Sequence, residues 1–472
     1  MTSSGKQSAK LAPIPFILWG QAIIIVLGAF TSMLSSTMLN TALPSIAASL
    51  HTSSSIAQWI ATGYFLSLAA GVPLSAWLSR KLGPTKLWLI SLVLFMVFSI
   101  LCAESKGIYM LIICRVLQGL SGGLLVPAGQ IITSIAAGPK RLGRVVSIVG
   151  IAVVVAPTLG TTLSSAILSS LSWPWLFWIN IPLGIAAFFA GLKWLPKIEV
   201  SEAGKFDWIG FLFVLSGVPL LIYGVTSIGN TANAVPIGTI IIGAVLIIGF
   251  ILRSLKRDKP ILQLRLFGNG VFSVAAVVMF LGGAINFGAQ LLLPHYLTDV
   301  RHLSLLTASQ LILPQVIGTA VGFPLAGRFT DRYGAGRLIF TGGIIMMISM
   351  LSLIFIEVNA GTTWVALVFF IWGLGTALAT VPAMTAGLTT VAPDQIPDSS
   401  PILNMLQRIG ASIGTALITL LYTKNLTSGL DQAHTLVVFK NVVWVLLGSI
   451  LVLLISSLTL ILRENKNTRA NT

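Results

Sequence analysis

The stretch GVPLSAWLSRKLG, residues 71–83, returns as GFPLAGRFTDRYG at residues 322–334, without a gap and at a constant offset of 251 residues. The glycine, proline and leucine that open each copy coincide, and so does the glycine that closes it. A long-range repeat of this kind indicates that the chain contains the same structural unit twice. The repeat therefore predicts two structurally equivalent halves.

The composition around the repeat identifies the solvent of the folded chain. Of 472 residues, 56% are hydrophobic and only 8% are charged, and the mean hydropathy is +0.96. A soluble domain needs about a quarter of its residues charged, and its apolar residues alternate or follow a helical period instead of forming long runs. Soluble, disordered and collagen-like chains are therefore excluded, and the bilayer is the expected solvent.

A membrane helix needs about 20 mostly apolar residues, and fourteen windows of the chain meet this requirement. They lie near 16–39, 56–78, 87–104, 108–136, 145–169, 174–195, 208–228, 235–252, 271–298, 304–327, 338–357, 362–390, 401–423 and 441–462. The repeat offset fits two six-helix halves with two extra helices between them. We therefore expect an all-α integral membrane fold with pseudo-symmetric halves at 1–195 and 266–472, and an inserted helix pair with a basic loop at 196–265.

The formal net charge of +16 is explained by where the positive residues lie. Twenty-two of the 28 lysines and arginines fall on one set of alternating segments, four fall on the other set, and two lie within spans. Because basic loops stay in the cytoplasm, both termini are expected to be cytoplasmic, in the cell inner membrane. We expect the lipid bilayer to be the partner of these basic residues, and we expect no nucleic-acid partner.

Enzyme chemistry has little support in the sequence. Residues Gly119 to Gly123 match the serine-hydrolase pattern G-x-S-x-G, but they lie within an apolar helix and no histidine stands near them. We interpret the pentad as small-residue helix packing, which recurs at Gly318-xxx-Gly322 and Gly410-xxx-Gly414,. The two cysteines, Cys102 and Cys114, fall in apolar runs and are expected in the core. No metal, no cofactor and no catalytic residue is expected.

Two arginines fall inside spans, where a charge is costly unless it faces a polar or hydrated interior. Arg115 lies about seven residues, or roughly 10 Å, in from the outer end of its helix. There a functional or cavity-facing role is favoured over snorkelling. Arg408 lies nearer the inner face, where snorkelling is the favoured interpretation. All twelve acids lie in loops or at span ends, so none shares the plane of Arg115.

Polar residues recur on one face of two spans and predict either a cavity lining or hydrogen bonds between helices. In the ninth span they are Asn286 and Gln290, four residues apart. In the first span they are Gln21, Gly28, Ser32 and Ser35. The sequence leaves both interpretations open.

Several motifs resemble the major facilitator superfamily, and within it the fourteen-helix drug:proton antiporter branch. The hallmark loop G-x-x-x-D-R-x-G-R appears in the second repeat copy as Gly327, Asp331, Arg332, Gly334 and Arg337, and in the first as Ala76, Arg80, Lys81, Gly83 and Lys86. The remaining matches are Arg115, Gln118 and Gly119 in the fourth span, the antiporter motif Gly150, Ala156, Pro157 and Gly160 in the fifth, and the segment Trp173–Gly184. The resemblance covers nearly the whole chain.

The resemblance implies roles for named residues. Gating residues would be Gly83, Arg80, Gly327, Asp331, Arg332, Gly334 and Arg337. Coupling or cavity residues would be Arg115, Gln118, Gly119, Ser35, Asn40, Asn286 and Gln290. Because the second copy alone keeps its carboxylate, we expect Asp331 rather than Arg80 to latch one conformation. Ser35 stands where the family has an aspartate, so any proton coupling would use either water near Arg115 without a carboxylate or groups at the outer edge: Glu104, His295, Asp299, His302 and Glu357.

We therefore expect a secondary active exporter of small amphiphilic molecules or drugs that works by alternating access, with proton antiport. A cavity rich in Asn, Gln, Ser and aromatic residues favours neutral or anionic amphiphiles over dications. One alternative keeps the scaffold without the proton, as a facilitator or an exchanger. The remote alternative, a membrane-embedded lipid-modifying enzyme or sensor, lacks buried carboxylates and metal ligands.

Overall fold

A computed structural model describes residues 13–198, 204–227, 235–355, 361–425 and 432–470, and every long element in these ranges is a helix. The helices are α1 (Phe16–Ser49), α2 (Ser54–Leu82), α3 (Pro84–Ala103), α4 (Ile108–Ala137), α5 (Leu142–Ser170), α6 (Trp175–Trp178), α7 (Asn180–Trp194), α8 (Trp208–Ser227), α9 (Val235–Lys256), α10 (Gly270–His295), α11 (Leu305–Tyr333), α12 (Ala335–Phe355), α13 (Thr362–Thr389), α14 (Ile396–Asn425) and α15 (Gln432–Ala470). Short 3₁₀ turns lie at Leu264–Gly268 and Pro393–Gln395, and a π-turn lies at Tyr296–Val300.

Thirteen stretches in the described ranges are long and apolar enough to cross a bilayer. The short helix α6 joins α7 in one such stretch, Trp175–Trp194, and α10 joins the π-turn in another, Gly270–Val300. Helix α5 has 29 residues, but the described apolar part that ends at Ile151 is shorter than a span. The multi-pass architecture is thus confirmed, while the count of fourteen stays a prediction that requires α5 to cross.

The two repeat copies end in the same turn. Gly83 closes α2 with φ 81°, and its N–H donates to the carbonyl of Ser79. Gly334 closes α11 with φ 88°, and its N–H donates to the carbonyl of Thr330. This backbone conformation strains any residue with a Cβ, which explains why the closing glycine coincides in both copies. Both helices have 29 residues.

The beginnings of these two helices match as well. Ser53 caps α2 by accepting a hydrogen bond from the N–H of Ile56, and Ser304 caps α11 in the same way from Thr307. A serine oxygen at this position satisfies a donor that the helix leaves free. The 251-residue repeat therefore extends over both whole helices and includes their caps.

Glycines allow neighbouring helices to pack at backbone distance. A Cβ on Gly119 would lie 2.3 Å from the carbonyl oxygen of Tyr64 on α2, and one on Gly123 would lie 2.2 Å from that of Leu68. Gly318 on α11 meets α13 in the same way, and Gly410 and Gly414 on α14 meet α10. The predicted small-residue packing is confirmed. The G-x-S-x-G pentad lies inside α4, so it forms no strand–turn–helix elbow.

Apolar packing forms separate clusters along the chain. Two of them draw on residues up to Ile198, with Trp88 and Phe95 fully buried in one of them. The largest cluster centres on α10 to α15 and buries Phe369 and Trp372. Large apolar side chains also cover the outside of the bundle, as a lipid-facing surface requires,. Cys102 and Cys114 are free and buried, as expected.

Three of the turns between helices lie at one end of the bundle, and each contains a glycine with a positive φ. The basic face is the end at which α2 meets α3 at Gly83, α4 meets α5 at Gly138 and α11 meets α12 at Gly334. We also refer to α1–α7 as the N-terminal group and to α10–α15 as the C-terminal group. The hairpin α8–α9 lies between them in sequence and packs against α2 and α14.

Candidate functional site

Arg115 lies in the interior of the N-terminal group, with 1% of its surface exposed. Its Nη1 donates to the Oγ of Ser35 on α1, at 3.0 Å, and to the Oε1 of Gln118 one turn further along α4, at 2.8 Å. An arginine that snorkels would direct its charged end toward the membrane surface. Burial among protein atoms therefore excludes snorkelling for Arg115.

Two aromatic rings enclose the guanidinium of Arg115. Its Cζ lies 4.0 Å from the ring centroid of Tyr64 and 5.6 Å from that of Phe177, within the range of cation–π attraction,. The Tyr64 hydroxyl donates to the Ser32 carbonyl at 2.9 Å, which fixes the ring. Two buried donors, Arg115 Nε and Gln118 Nε2, have no hydrogen-bond partner in the described structure.

Ser35 is the residue at which the first-helix resemblance departs from its family, and it is the residue that touches Arg115. A carboxylate at this position would lie against the guanidinium and neutralise it. With serine there, the buried cation retains a hydrogen bond and ring contacts in place of a counter-ion. Buried charges are costly unless paired, so this position is where one substitution would most change the electrostatics of the interior.

The polar face of the first span forms hydrogen bonds between helices. Gln21 Nε2 donates to the Trp194 carbonyl at 2.9 Å. A Cβ on Gly28 would lie 2.4 Å from the Trp88 ring, so α1 is closely packed there. Together with Ser32 and Ser35, these contacts decide the open question for α1 in favour of interhelical bonding.

The other predicted cavity residues lie away from this cluster. Asn40 is exposed near the far end of α1, Asn286 is half-buried in α10, and Gln290 is exposed. Gly119 lies where the backbones of α4 and α2 approach each other closely. The structure thus brings Ser35, Gln118 and Arg115 together and leaves the three amide side chains outside their contact.

Arg408 does not lie near the basic face, contrary to the snorkelling interpretation. It is the thirteenth residue of α14, which places it roughly 18 Å along the helix from Ile396 at 1.5 Å per residue,. It is half-buried.

Ion pairs join the two helix groups at the basic face. Asp331, near the end of α11, accepts from Arg144 Nε at 2.7 Å and from the Gly143 N–H at 3.0 Å, at the start of α5. The first turn of a helix favours negative charge, so the carboxylate is well placed there. Gly327 lets the backbones approach, since a Cβ on it would lie 2.5 Å from the Gly143 carbonyl oxygen.

A second ion pair links Arg80, at the end of α2, to Asp398, at the start of α14. Arg80 is 6% exposed and Asp398 is fully buried. The first repeat copy therefore also carries an ion pair between the helix groups, which the expectation of a latch at Asp331 rather than Arg80 did not include. The partner acid lies 318 residues away in sequence, which is why neighbouring residues gave no sign of it.

A polar contact lies beside these pairs. Gln130 on α4 accepts, through its Oε1, from Ser400 Oγ at 2.8 Å and from Asn404 Nδ2 at 2.6 Å, both on α14. Sequence reasoning missed this contact, although the polar run at the start of α14 is a usable signal. We call these contacts together the basic-face gate: Arg80–Asp398, Asp331–Arg144, Asp331–Gly143 and Gln130 with Ser400 and Asn404.

The remaining residues predicted for gating or for the antiporter motif lie in other environments. Arg332 and Arg337 are exposed, and Arg332 stands 5.1 Å from the Tyr333 ring. On α5, a Cβ on Gly150 would lie 2.1 Å from the Phe323 ring of α11, and one on Gly160 would lie 2.1 Å from Thr37 Oγ1 of α1. The side chain of Pro157 is outside the described residues.

Some of the predicted outer-edge acids and histidines form a cluster at the end of α10. Asp299 Oδ2 lies 2.9 Å from His295 Nδ1 and accepts from the Tyr422 hydroxyl of α14 at 3.0 Å. Glu104 and His302 are exposed at other places. Glu357 is outside the described residues.

Comparison with known proteins was consistent with this architecture. The sequence profile of the Major Facilitator Superfamily matches residues 25–415. The Multidrug resistance protein B homolog of Mycobacterium tuberculosis is 31% identical over 407 residues, which is 85% of this chain and 75% of that protein. Lincomycin resistance protein LmrB of Listeria monocytogenes is 28% identical over 410 residues, or 86% of each chain.

A solved structure shares the fold. The human organic anion transporter MFSD10 superposes with a TM-score of 0.64 at 14% identity, covering 94% of this chain and 100% of that one. At this level of identity the likeness concerns the fold alone.

Proposed function

The chain belongs to the Major Facilitator Superfamily, and from that premise we propose that it exports drugs and other small amphiphiles across the cell inner membrane. It is a transporter and not an enzyme. Its relatives include proteins named for multidrug and lincomycin resistance, which supports drug efflux. Alternating access is the proposed mechanism: residues 1–195 and 266–472 act as two halves that rock about a cavity near the midplane.

The observation that carries this proposal is the basic-face gate. Its ion pairs connect one helix group to the other, so they must break when this face opens. Such contacts stabilise one of two arrangements and leave the other available, as alternating access requires. These contacts support our proposal that the conformation described here is closed at the basic face, and the excess of lysine and arginine supports a cytoplasmic location for that face.

The proposed substrates are neutral or anionic. Arg115 and Arg408 lie within the spans, whereas the acids of the described ranges lie at helix ends or in loops. A positive interior attracts anions and disfavours dications. Transport by purified protein in proteoliposomes, with a lipophilic carboxylate and a lipophilic dication compared, tests this selectivity. Faster transport of the dication would contradict it.

Proton antiport is the proposed energy source, and a facilitator or exchanger on the same scaffold is the second candidate. The second candidate is favoured by Ser35, which cannot titrate and which faces Arg115 where the family has an acid. Transport should be compared with an imposed pH gradient, with an imposed membrane potential and with neither. Uphill transport driven by the pH gradient supports antiport, and transport that only equilibrates the substrate supports the facilitator.

A further inference from the structure

The hairpin α8–α9 reaches the basic-face gate with both of its ends. Just before α8, Gly204 and Phe206 contact α2, and just after α9, the loop through Pro260 contacts Arg80 itself. The helix α8 also packs against α2 and α14, which carry the two members of the Arg80–Asp398 pair. The hairpin therefore touches both helices that must separate when the gate opens.

The first end of the hairpin holds α2 through Trp77, one turn before Arg80. The Trp77 Nε1 donates to the Gly204 carbonyl at 3.3 Å. The Phe206 ring meets the Trp77 ring edge-on, with centroids 4.8 Å apart, a favourable aromatic geometry,. The end of α2 is thus fixed by a hydrogen bond and a ring contact from outside its own helix group.

The second end supplies a polar backbone group to the ion pair. Arg80 Nη2 donates to the Pro260 carbonyl at 3.2 Å. Ile261 is 1% exposed and Leu262 is fully buried, although Lys259 and Arg265 on either side are exposed. Loops normally run over the surface, so a loop buried at an ion pair indicates a positioning role.

Asp207 holds the base of the hairpin together. Its Oδ1 accepts from Arg253 Nε at 2.9 Å, from Arg257 Nη1 at 3.0 Å and from the Gly210 N–H at 3.2 Å. Asp207 is buried while Arg253 and Arg257 are 31% and 32% exposed, so the carboxylate end of these bonds is shielded from water. Because Asp207 precedes α8, Arg253 lies in the last turn of α9 and Arg257 directly follows that helix, these bonds connect the two ends of the hairpin.

We propose that α8–α9 acts as a brace for the basic-face gate, with Trp77, Asp207 and the buried segment Pro260–Leu262 as positioning residues. The brace holds Arg80 against Asp398 while this face is closed and so prolongs the closed state. It contributes contacts to one of two conformations, which is the condition for shifting their populations. The inference rests on the alternating access of the proposed function.

The test measures gate opening directly. Spin labels at Lys86 on α3 and Arg328 on α11, both exposed and outside the gate, report the separation of the two helix groups at the basic face. Pulsed electron resonance on the full chain in lipid nanodiscs, with Cys102 and Cys114 replaced by alanine, gives the fraction of molecules with a long distance. We expect Asp207→Asn to raise this fraction about fivefold.

Two further variants sharpen the test. Trp77→Phe keeps a ring against Phe206 but loses the N–H that bonds Gly204, and should raise the open fraction by a smaller factor. Glu464→Gln is the matched control, because this carboxylate accepts from the N–H groups of Ala335 and Gly336 within the C-terminal group. It should leave the open fraction at the wild-type value.

Asp398→Asn removes the charge that pairs with Arg80 in the gate itself. This variant distinguishes the brace from alternating access at this gate. If it produces the long distance while Asp207→Asn and Trp77→Phe both retain the wild-type distribution, the brace is refuted and alternating access stands. If no variant, Asp398→Asn included, produces a second distance, alternating access at this gate is refuted, and the brace with it. Should Asp207→Asn not fold, Trp77→Phe alone decides.

Discussion

Arg80 and Asp331 occupy the same position of the 251-residue repeat, carry opposite charges, and each pairs with a residue of the other helix group. Arg80 on α2 meets Asp398, the third residue of α14, and Asp331 on α11 meets Arg144, the third residue of α5. In the first copy the base Arg80 pairs with an acid of α14, and in the second copy the acid Asp331 pairs with a base of α5. Both sides of the basic-face gate consequently keep one acid facing one base.

Arg80→Asp should impair transport more than Asp331→Asn does, the reverse of the order that the sequence favours. It sets two carboxylates together where Arg80 was 6% exposed and Asp398 is fully buried. Losing one partner of a buried pair typically costs about 3–5 kcal/mol. Transport rate and melting temperature of purified protein measure the effect. The double variant Arg80→Asp/Asp398→Arg should recover both, and failure to recover would show that pairing is not what the site requires.

Asp331→Asn should lower transport severalfold with little loss of stability. The amide oxygen can still accept from the Gly143 N–H, while the attraction to Arg144 is lost. Arg144 is 16% exposed, so water can solvate part of its charge. A double-mutant cycle with Arg144→Gln should show a coupling of about 0.5–3 kcal/mol. Additive effects on melting temperature and transport would contradict direct pairing.

Ser35→Asp should stabilise the protein and make its transport depend on pH. The new carboxylate would lie where Ser35 Oγ stands 3.0 Å from Arg115 Nη1, and it would neutralise a buried cation,. Ser35→Asn is the control of equal size without charge. Melting temperature and transport are measured between pH 5 and pH 9 in steps of about one unit around the usual range of carboxyl and imidazole groups. Identical behaviour of the two variants would refute the electrostatic interpretation.

Arg408→Gln should reduce the preference for anionic substrates. The residue is half-buried in the middle of α14, within the span. We expect the transport ratio of a lipophilic carboxylate to its neutral methyl amide to fall about tenfold, equivalent to 1.4 kcal/mol. Arg408→Lys, which retains the charge, should keep most of the ratio. A ratio that is unchanged in both variants would place the anion selectivity elsewhere.

The orientation of the chain can be measured by labelling in intact cells. In a background without Cys102 and Cys114, a cysteine in place of Lys106 should react with an impermeant thiol reagent, and one in place of Lys256 should not. Both positions are exposed, on opposite faces of the bundle. If only Lys256→Cys were labelled, the basic face would lie outside the cell and not in the cytoplasm.

The sequence by itself determined the class of the protein and the presence of its repeated helices, although the apolar windows 56–78 and 304–327 stop short of the observed helix ends at Leu82 and Tyr333. Apolar runs of about 20 residues leave no alternative to membrane helices, because backbone polar groups cannot remain unpaired in lipid. The glycines at 83 and 334 could be predicted from local chemistry alone, since their backbone conformation excludes other residues,. Glycine spacing likewise predicted the close helix contacts at Gly119, Gly318 and Gly410.

Only the tertiary structure decided how the polar residues pair. Arg80 appeared to be a degraded position until Asp398, 318 residues away, was found against it. The polar face of α1 suited a cavity and an interhelical contact equally well until Arg115, Tyr64 and Trp194 were located beside it. Local sequence fixes helices through contacts within a few residues, whereas a buried charge is satisfied by whichever group the fold brings near, and that group has no fixed distance along the chain.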